Sequence, residues 1–229
     1  MSRIVTLIGA SGLIGGQVLN LLLKDPTIFS IRALVRKALP LTNPKLQQFI
    51  INFEHPKEYE PHMAGAEAVF CAVGTTNSKV RGDKDMYKKV DFDIPVFAAK
   101  AAAKYGVFSF ILVSAVNANP ENNRNFYLKL KGVMEEAVCK EHIPSVQIMR
   151  PSLLLGHRQE KRFGERIAQV VMPAFNWTLG GESSRFKAIE AADVARAMVA
   201  AANAQIKGIR FYEYNDMMEL IRQYPLHVA

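Results

Sequence analysis

A chain of 229 residues with 49% apolar composition can bury one full core. Its formal charge of +8 is spread over short clusters: Arg36 with Lys37, Lys79 to Lys89, and His157 to Arg166. None is interleaved with stacking aromatics, so a nucleic-acid platform is not expected, and an anionic small molecule accounts for the local basic residues with fewer assumptions. No stretch approaches the roughly 18 apolar residues of a membrane helix, and MSRIVTLIGASG enters an apolar run with no cleavage-site pattern, so a cytoplasmic protein that does not span a membrane is the expectation. Cys71 and Cys139 lack CxxC spacing and read as reduced thiols, and five scattered histidines give no metal site.

In chain order, the periodicity predicts a strand at Ile4 to Ile8, a helix at Leu13 to Leu23 closed by Asp25-Pro26, and strands at Ile31 to Val35, Phe49 to Phe53 and Ala68 to Val73. A long helix at Met86 to Tyr105 ends at Gly106. A strand at Phe108 to Ser114, a helix at Asn125 to Lys140 and a strand at Ser145 to Met149 follow. Apolar β-branched runs alternating with helical periods form an α/β, doubly wound parallel sheet. In the helix at 125–140, Phe126, Leu130, Val133 and Ala137 make the stripe expected to face the sheet, with Tyr127 and Lys131 flanking it. Beyond Gly156 the pattern changes to helices at Arg162 to Met172 and Ala188 to Asn203, with Pro173 between them, and a short strand at Ile209 to Tyr212. Too small for a domain of its own, the segment 157–229 reads as a small C-terminal cap over the carboxyl edge of one domain spanning 1–229.

TLIGASGLIGGQVL places Gly9, Gly12 and Gly15 directly after the first strand and directly before the first helix. The first glycine permits the tight turn, the second lets a pyrophosphate approach the backbone, and the third lets helix and strand pack closely. Ser11 and the free amides of the helix start, Leu13 and Ile14, then meet an anion that the helix dipole favours. This context points to a Rossmann-type dinucleotide site. The second strand ends in ALVRKAL, where a carboxylate would accept from an unmodified ribose. Arg36 stands there instead, and its planar fork suits a 2′-phosphate, so NADP(H) is preferred over NAD(H).

Tyr127 and Lys131, in NFYLKLKG, are four apart and share one face of a helix, whereas Lys129 points elsewhere. An ammonium so placed could draw the phenol, normally near pKa 10, down by about 1 to 3 units.

The chain resembles the short-chain dehydrogenase/reductase superfamily in its atypical branch, and within it the NAD(P)H-binding oxidoreductases related to the Tat-interacting protein. The matching stretches are GASGLIGG, VFCAVGTT at 69–76, LVSA at 112–115, FYLKLKG at 126–132, MRPSLLLG at 149–156 and RQEKRFGE at 158–165. The resemblance implies that Ser114 is the substrate-binding serine and Tyr127 with Lys131 the tyrosine–lysine pair. It also implies that Gly74 and Thr75 lie against the cofactor and that Pro151 and Ser152 lie near the nicotinamide. Where the family often has an aspartate for the adenine amino group, this chain has Asn52, whose side-chain carbonyl could accept the same hydrogen bond. Related proteins dimerise through helices flanking the sheet, which makes a homodimer a family expectation.

The expected function is an NADPH-dependent oxidoreductase acting on a small carbonyl or alcohol substrate. The alternative is an NADPH-binding redox-sensing or regulatory protein without turnover. An epimerase or dehydratase on a sugar nucleotide would use a larger substrate domain than residues 157–229 provide. Arg158, Gln159, Arg162 and Glu165 are candidates for the entrance under the cap.

Overall fold

The computed structural model describes residues 3–75, 83–155 and 181–226. Seven parallel strands form one sheet: β1 (Arg3–Ile8), β2 (Ile28–Val35), β3 (Leu46–Ile50), β4 (Ala68–Cys71), β5 (Ser109–Val113), β6 (Ser145–Met149) and β9 (Gly208–Tyr212), in the order β3-β2-β1-β4-β5-β6-β9. A two-stranded pair, β7 (Leu154–Leu155) and β8 (Ile189–Glu190), stands beside it. This is the Rossmann-type α/β sheet expected from the sequence. The chain runs outward from β1 to β3, then returns to β4 on the other side of β1. That reversal opens a crevice at the carboxyl ends of β1 and β4, where sheets of this kind bind ligands.

Two apolar layers sandwich the sheet. On one face α1 (Leu13–Lys24) inserts Ile14, Val18, Leu19 and Leu22 and packs against α5 (Ala191–Ala204), whose buried side is mostly alanine. The opposite face carries α3 (Ile94–Lys104) and α4 (Phe126–Cys139) over Phe110, Leu112, Val146 and Ile148. A last helix, α6 (Tyr214–Gln223), begins at a reciprocal Glu213–Asp216 capping box and packs on α5.

Several expectations shift. β3 ends three residues earlier than predicted, because Asn52 starts a turn in which its side chain accepts from the Glu54 amide. The single helix predicted at 86–105 is three pieces: α2 (Lys84–Lys88), a π turn at Lys89–Asp93, and α3. Pro95 supplies the reason. In an α-helix its ring would press on the carbonyl of residue 91 and its missing N–H would leave that carbonyl unpartnered, and a widened turn removes the conflict. From residue 191 onward, the segment expected within a cap instead completes the sheet and its covering, since β9 pairs with β6 and α5 packs on α1. The helix predicted at 162–172 lies outside the described residues, and α6 was not predicted.

The buried side of α4 is not the predicted stripe. Lys131, Gly132, Met134, Glu135 and Val138 are buried, while Phe126 is 40% exposed. Two charged side chains face inward because each has a partner there. Gly132 faces inward because the backbone of Asn119 and Pro120 crosses it: a Cβ at Gly132 would lie 2.2 Å from the Pro120 nitrogen. Gly132→Ala is therefore expected to lose about 1 to 3 kcal/mol or more of stability despite alanine's better helix propensity. Urea denaturation of the two proteins checks this, and equal midpoints would mean that the crossing segment can yield.

Candidate functional site

The glycine loop sits at the crevice. Gly9 has φ +93°, and a Cβ on it would lie 2.6 Å from the Ala72 carbonyl oxygen, so the loop is pressed against the segment leaving β4. A Cβ on Gly15 would lie 2.0 Å from the Gly9 oxygen. Gly12 is the N-cap of α1, in extended conformation, and donates its amide to the Gly9 carbonyl at 2.8 Å. No side chain caps this helix, and no acid stands in its first turn. The amides of Leu13, Ile14 and Gly15 therefore begin a helix dipole with no anion of its own cap or first turn, with the exposed Ser11 beside them.

At the ends of β2 and β3 lies a cavity of about 280 Å³, bounded by Arg36, Asn52, Phe53, Met86 and Phe97 among others. Arg36 and Asn52, singled out separately in the sequence, are brought together here. Arg36 is exposed. The Asn52 side-chain carbonyl already accepts from the Glu54 amide at 3.0 Å, leaving one lone pair for another donor. The cavity's apolar walls, the Asn52 amide and the Arg36 guanidinium suit an adenosine end, beside Glu54, Lys89 and Asp93, which also line the cavity. Together with the close-packed glycine loop and the uncapped helix, these residues fit a dinucleotide.

On the other side of the crevice, the segment after β4 carries Gly74 and Thr75. The Thr75 amide donates to Asp91 Oδ2 at 2.9 Å, and a Cβ on Gly74 would lie 3.5 Å from Asp91 Oδ1. Asp91 is wholly buried in the π turn, and Lys131 Nζ lies 2.9 Å from its Oδ1. This is a close ion contact rather than an aligned hydrogen bond. The same ammonium lies 5.9 Å from the centre of the Tyr127 ring. Burial opposes the charge on Lys131, yet Asp91, with Tyr127 and Cys71 nearby, holds its pKa above the usual lysine value.

Tyr127 differs from the expectation. Its pKa is raised, not lowered: burial is the largest cause, the nearby Lys131 pulls it down, and Asp91 pushes it up. The ammonium is present, but its charge is offset. Cys71, buried at the end of β4, is pushed up to about 12, chiefly by burial, and stays a thiol.

Ser114 follows β5 directly. It is 4% exposed, its amide donates to the Met149 carbonyl at 2.7 Å, and its Oγ has no partner among the described residues. Pro151 is buried and its carbonyl accepts from the Val116 amide, while the Ser152 hydroxyl donates to the Lys187 carbonyl. Ser152 thus ties its own loop down. Arg158, Gln159, Arg162 and Glu165 lie outside the described residues.

Two features escaped the sequence reading. Asp91 sits in an unremarkable VDFD stretch, and only the D-I-P sequence at 93–95, which predicts a disturbed helix, hinted at it. Glu135 accepts both arms of Arg150, at 3.0 and 2.5 Å, and was legible as the next i+4 position after Tyr127 and Lys131.

A family model described as NAD(P)H-binding matches residues 9–205. The mitochondrial protein FMP52-1 of Scheffersomyces stipitis is 31% identical over 94% of this chain and 97% of its own length. HTATIP2 of Rattus norvegicus is 30% identical over 73% of this chain and 69% of its own. Among solved structures, the oxidoreductase ylbE from Lactococcus lactis superposes with a TM-score of 0.69 at 18% identity, covering 97% of this chain and 98% of that one. These findings agree with the nicotinamide-cofactor reading and with an oxidoreductase-type fold. The mitochondrial designation of the FMP52 proteins overturns the expected cytoplasmic location. Hydropathy and charge of a folded body do not report its address.

A Cβ at Gly12 would meet only the Gly9 oxygen, at 3.1 Å, and the Ala72 oxygen, at 3.7 Å. Gly12→Ala should therefore fold with a small loss of stability while weakening NAD(P)H binding tenfold or more, an effect of about 1.4 kcal/mol. Thermal melts beside a nicotinamide-fluorescence titration separate the two effects, and unchanged affinity would remove this loop from the cofactor site.

Proposed function

Because the chain belongs to the NAD(P)H-binding family, as an atypical short-chain dehydrogenase/reductase-like protein, we propose that it is an NADPH-dependent oxidoreductase acting on a small carbonyl or alcohol. The observation that carries this reading is the buried Lys131 beneath Tyr127, on the carboxyl side of the sheet. A bound NADPH supplies the hydride. In the reducing direction, the Ser114 hydroxyl orients the substrate oxygen and Tyr127 gives it a proton. Lys131 stabilises the resulting phenolate. Water is held off by the burial of Ser114 and Lys131, which also strengthens each of these interactions.

The preference for NADPH rests on Arg36, which lines the adenosine-side cavity at a strand end that offers no carboxylate of its own. Gly12, Leu13, Ile14 and Gly15 would receive the pyrophosphate, and Gly74, Thr75 and Pro151 would flank the nicotinamide half. A regulatory binding protein without turnover is the second reading. One observation favours it: Asp91 already occupies the lysine that the chemistry needs.

Arg36→Ala is expected to weaken NADPH by about 1.5 to 3 kcal/mol and leave NADH nearly unchanged, since only the former carries the 2′-phosphate. Titration of both cofactors checks it, and equal losses would reassign Arg36 to adenine or to the fold. Tyr127→Phe keeps the ring and the cofactor site but removes the proton. With substrates found by screening small carbonyls against nicotinamide absorbance, kcat should fall by roughly 10² to 10⁴-fold at near wild-type NADPH affinity. Lys129→Met, at an exposed lysine whose ammonium donates to Asn123 alone among the described residues, is the control and should change little. Turnover by Tyr127→Phe at the wild-type rate would end the tyrosine's role. NADPH binding with no turnover of any substrate would favour the regulatory reading.

A further inference from the structure

We propose that Asp91 is the positioning residue of this site: its carboxylate fixes the Lys131 ammonium beneath Tyr127 and offsets its charge, which keeps Tyr127 a protonated donor in the cofactor-free chain. The proposal rests on the reading of Tyr127 as the proton-exchanging group, but its test needs no turnover.

The geometry is specific. Asp91 and Lys131 are 0% and 1% exposed, on different elements, with 2.9 Å between Oδ1 and Nζ. The other carboxylate oxygen accepts from the Thr75 amide, which fixes the carboxylate's orientation. The π turn forced before Pro95 is the segment in which this side chain becomes buried. Facing the ammonium are Asp91 from the π turn, Tyr127 from α4 and Cys71 from β4. Tyr87 of α2 adds a second phenol, its ring centre 6.2 Å from that of Tyr127. Among these groups Asp91 is the only carboxylate, and Cys71 remains a thiol, so the net field at Tyr127 depends on one acid and one base. A lysine without Asp91 would draw the phenol down against the larger opposing effect of burial, whereas a lysine paired with Asp91 presents a nearly neutral couple. Asp91 thereby selects the direction in which Tyr127 is ready to act. It starts as a proton donor, the form required for reducing a carbonyl.

The experiment follows the ionisation of Tyr127 by NMR of protein labelled at the tyrosine Cζ, with the resonance assigned by its loss in Tyr127→Phe. In Asp91→Asn, which keeps size and an acceptor for Thr75, Tyr127 is expected to ionise about one to three pH units lower than in the wild type. Asp91→Glu, which keeps the charge, should leave it near the wild-type value. A folded Asp91→Asn with wild-type ionisation would overturn the proposal, as would equal shifts in both variants, because a purely structural aspartate would not separate charge from shape. If Asp91→Asn does not fold, the double variant Asp91→Asn/Lys131→Met removes both charges and is expected to fold. A double variant that also fails would overturn the proposal, since removing both charges together would then not restore the fold and the matched charge would not be what Asp91 supplies. Failure to find any substrate would end the oxidoreductase reading while leaving this titration intact, and an unmoved Tyr127 would end the proposal while leaving turnover intact.

Discussion

The buried pair of Lys131 and Asp91 is the constraint around which the candidate site is arranged. Removing both charges from water is expensive, and in general deleting one member of such a pair costs about 3 to 5 kcal/mol because the other is left uncompensated. The contact can persist only if three chain segments meet: the turn after β4, through the Thr75 amide; the π turn; and α4. Each has its own local cause. After β4 the Thr75 amide donates to the carboxylate, Pro95 disallows a regular α-turn over residue 91, and Asn125 caps α4 by accepting from the Leu128 amide at 3.1 Å, which fixes where that helix begins.

A second ion pair holds α4 one turn further along. Glu135, 4% exposed, grips both arms of Arg150, whose guanidinium also covers the Phe211 ring at 4.2 Å. Arg150 directly precedes Pro151, so the loop after β6 and the helix are tied together. Tyr127, Lys131 and Glu135 lie at successive i+4 positions, and pinning the last two fixes the rotation of the helix and hence the direction of the first. The inward face of α4 therefore carries two charged side chains beside the apolar Met134 and Val138, and Gly132 on it lets the 119–120 backbone approach. Reading the helix by hydrophobicity alone put Phe126 inward and Lys131 at the margin. The rule that charges face water fails where each charge has a partner on another element.

Legibility in the sequence divides along the same line. The strands, the glycine loop and the positions of Arg36 and Asn52 were readable because each depends on backbone geometry or on a local run of residues. Gly9 needs its positive φ, and Gly15 has no room for a side chain. All seven sheet strands were found within three residues at either end, and only the one before Asn52 is displaced at both ends by three, where turn chemistry overrode the apolar run Phe49 to Phe53. Asp91 could not be found in this way, since nothing local distinguishes an exposed aspartate from one buried against a lysine forty residues later. At the C-terminus the helix at 188–203 and the strand at 209–212 were found, and what the sequence did not show was that they complete the sheet and its covering. The alanines of α5 look like a weak amphipathic pattern, yet small side chains are what close packing against α1 requires.

The pairing rule also gives meaning to the polar group left without a partner. A buried hydroxyl without a hydrogen bond costs about 1 to 3 kcal/mol, and two serines of β5 and its end, Ser109 and Ser114, are in that condition among the described residues. The orphan state alone decides nothing, because Ser109 stands at the amino end of the strand, away from the crevice. Position separates them. Ser114 lies at the carboxyl end, on the side of the sheet where the glycine loop and Thr75 converge, and its amide is fixed to Met149. Among the described residues Asp91 is matched to Lys131 and Glu135 to Arg150, so neither of these pairs competes for the hydroxyl. A small neutral oxygen, such as a carbonyl, would satisfy it at little electrostatic cost. Among the described residues, a carboxylate would meet a couple already neutral and only the hydroxyl to compensate its burial. The same matching that offsets Lys131 thus bears on what the crevice can admit.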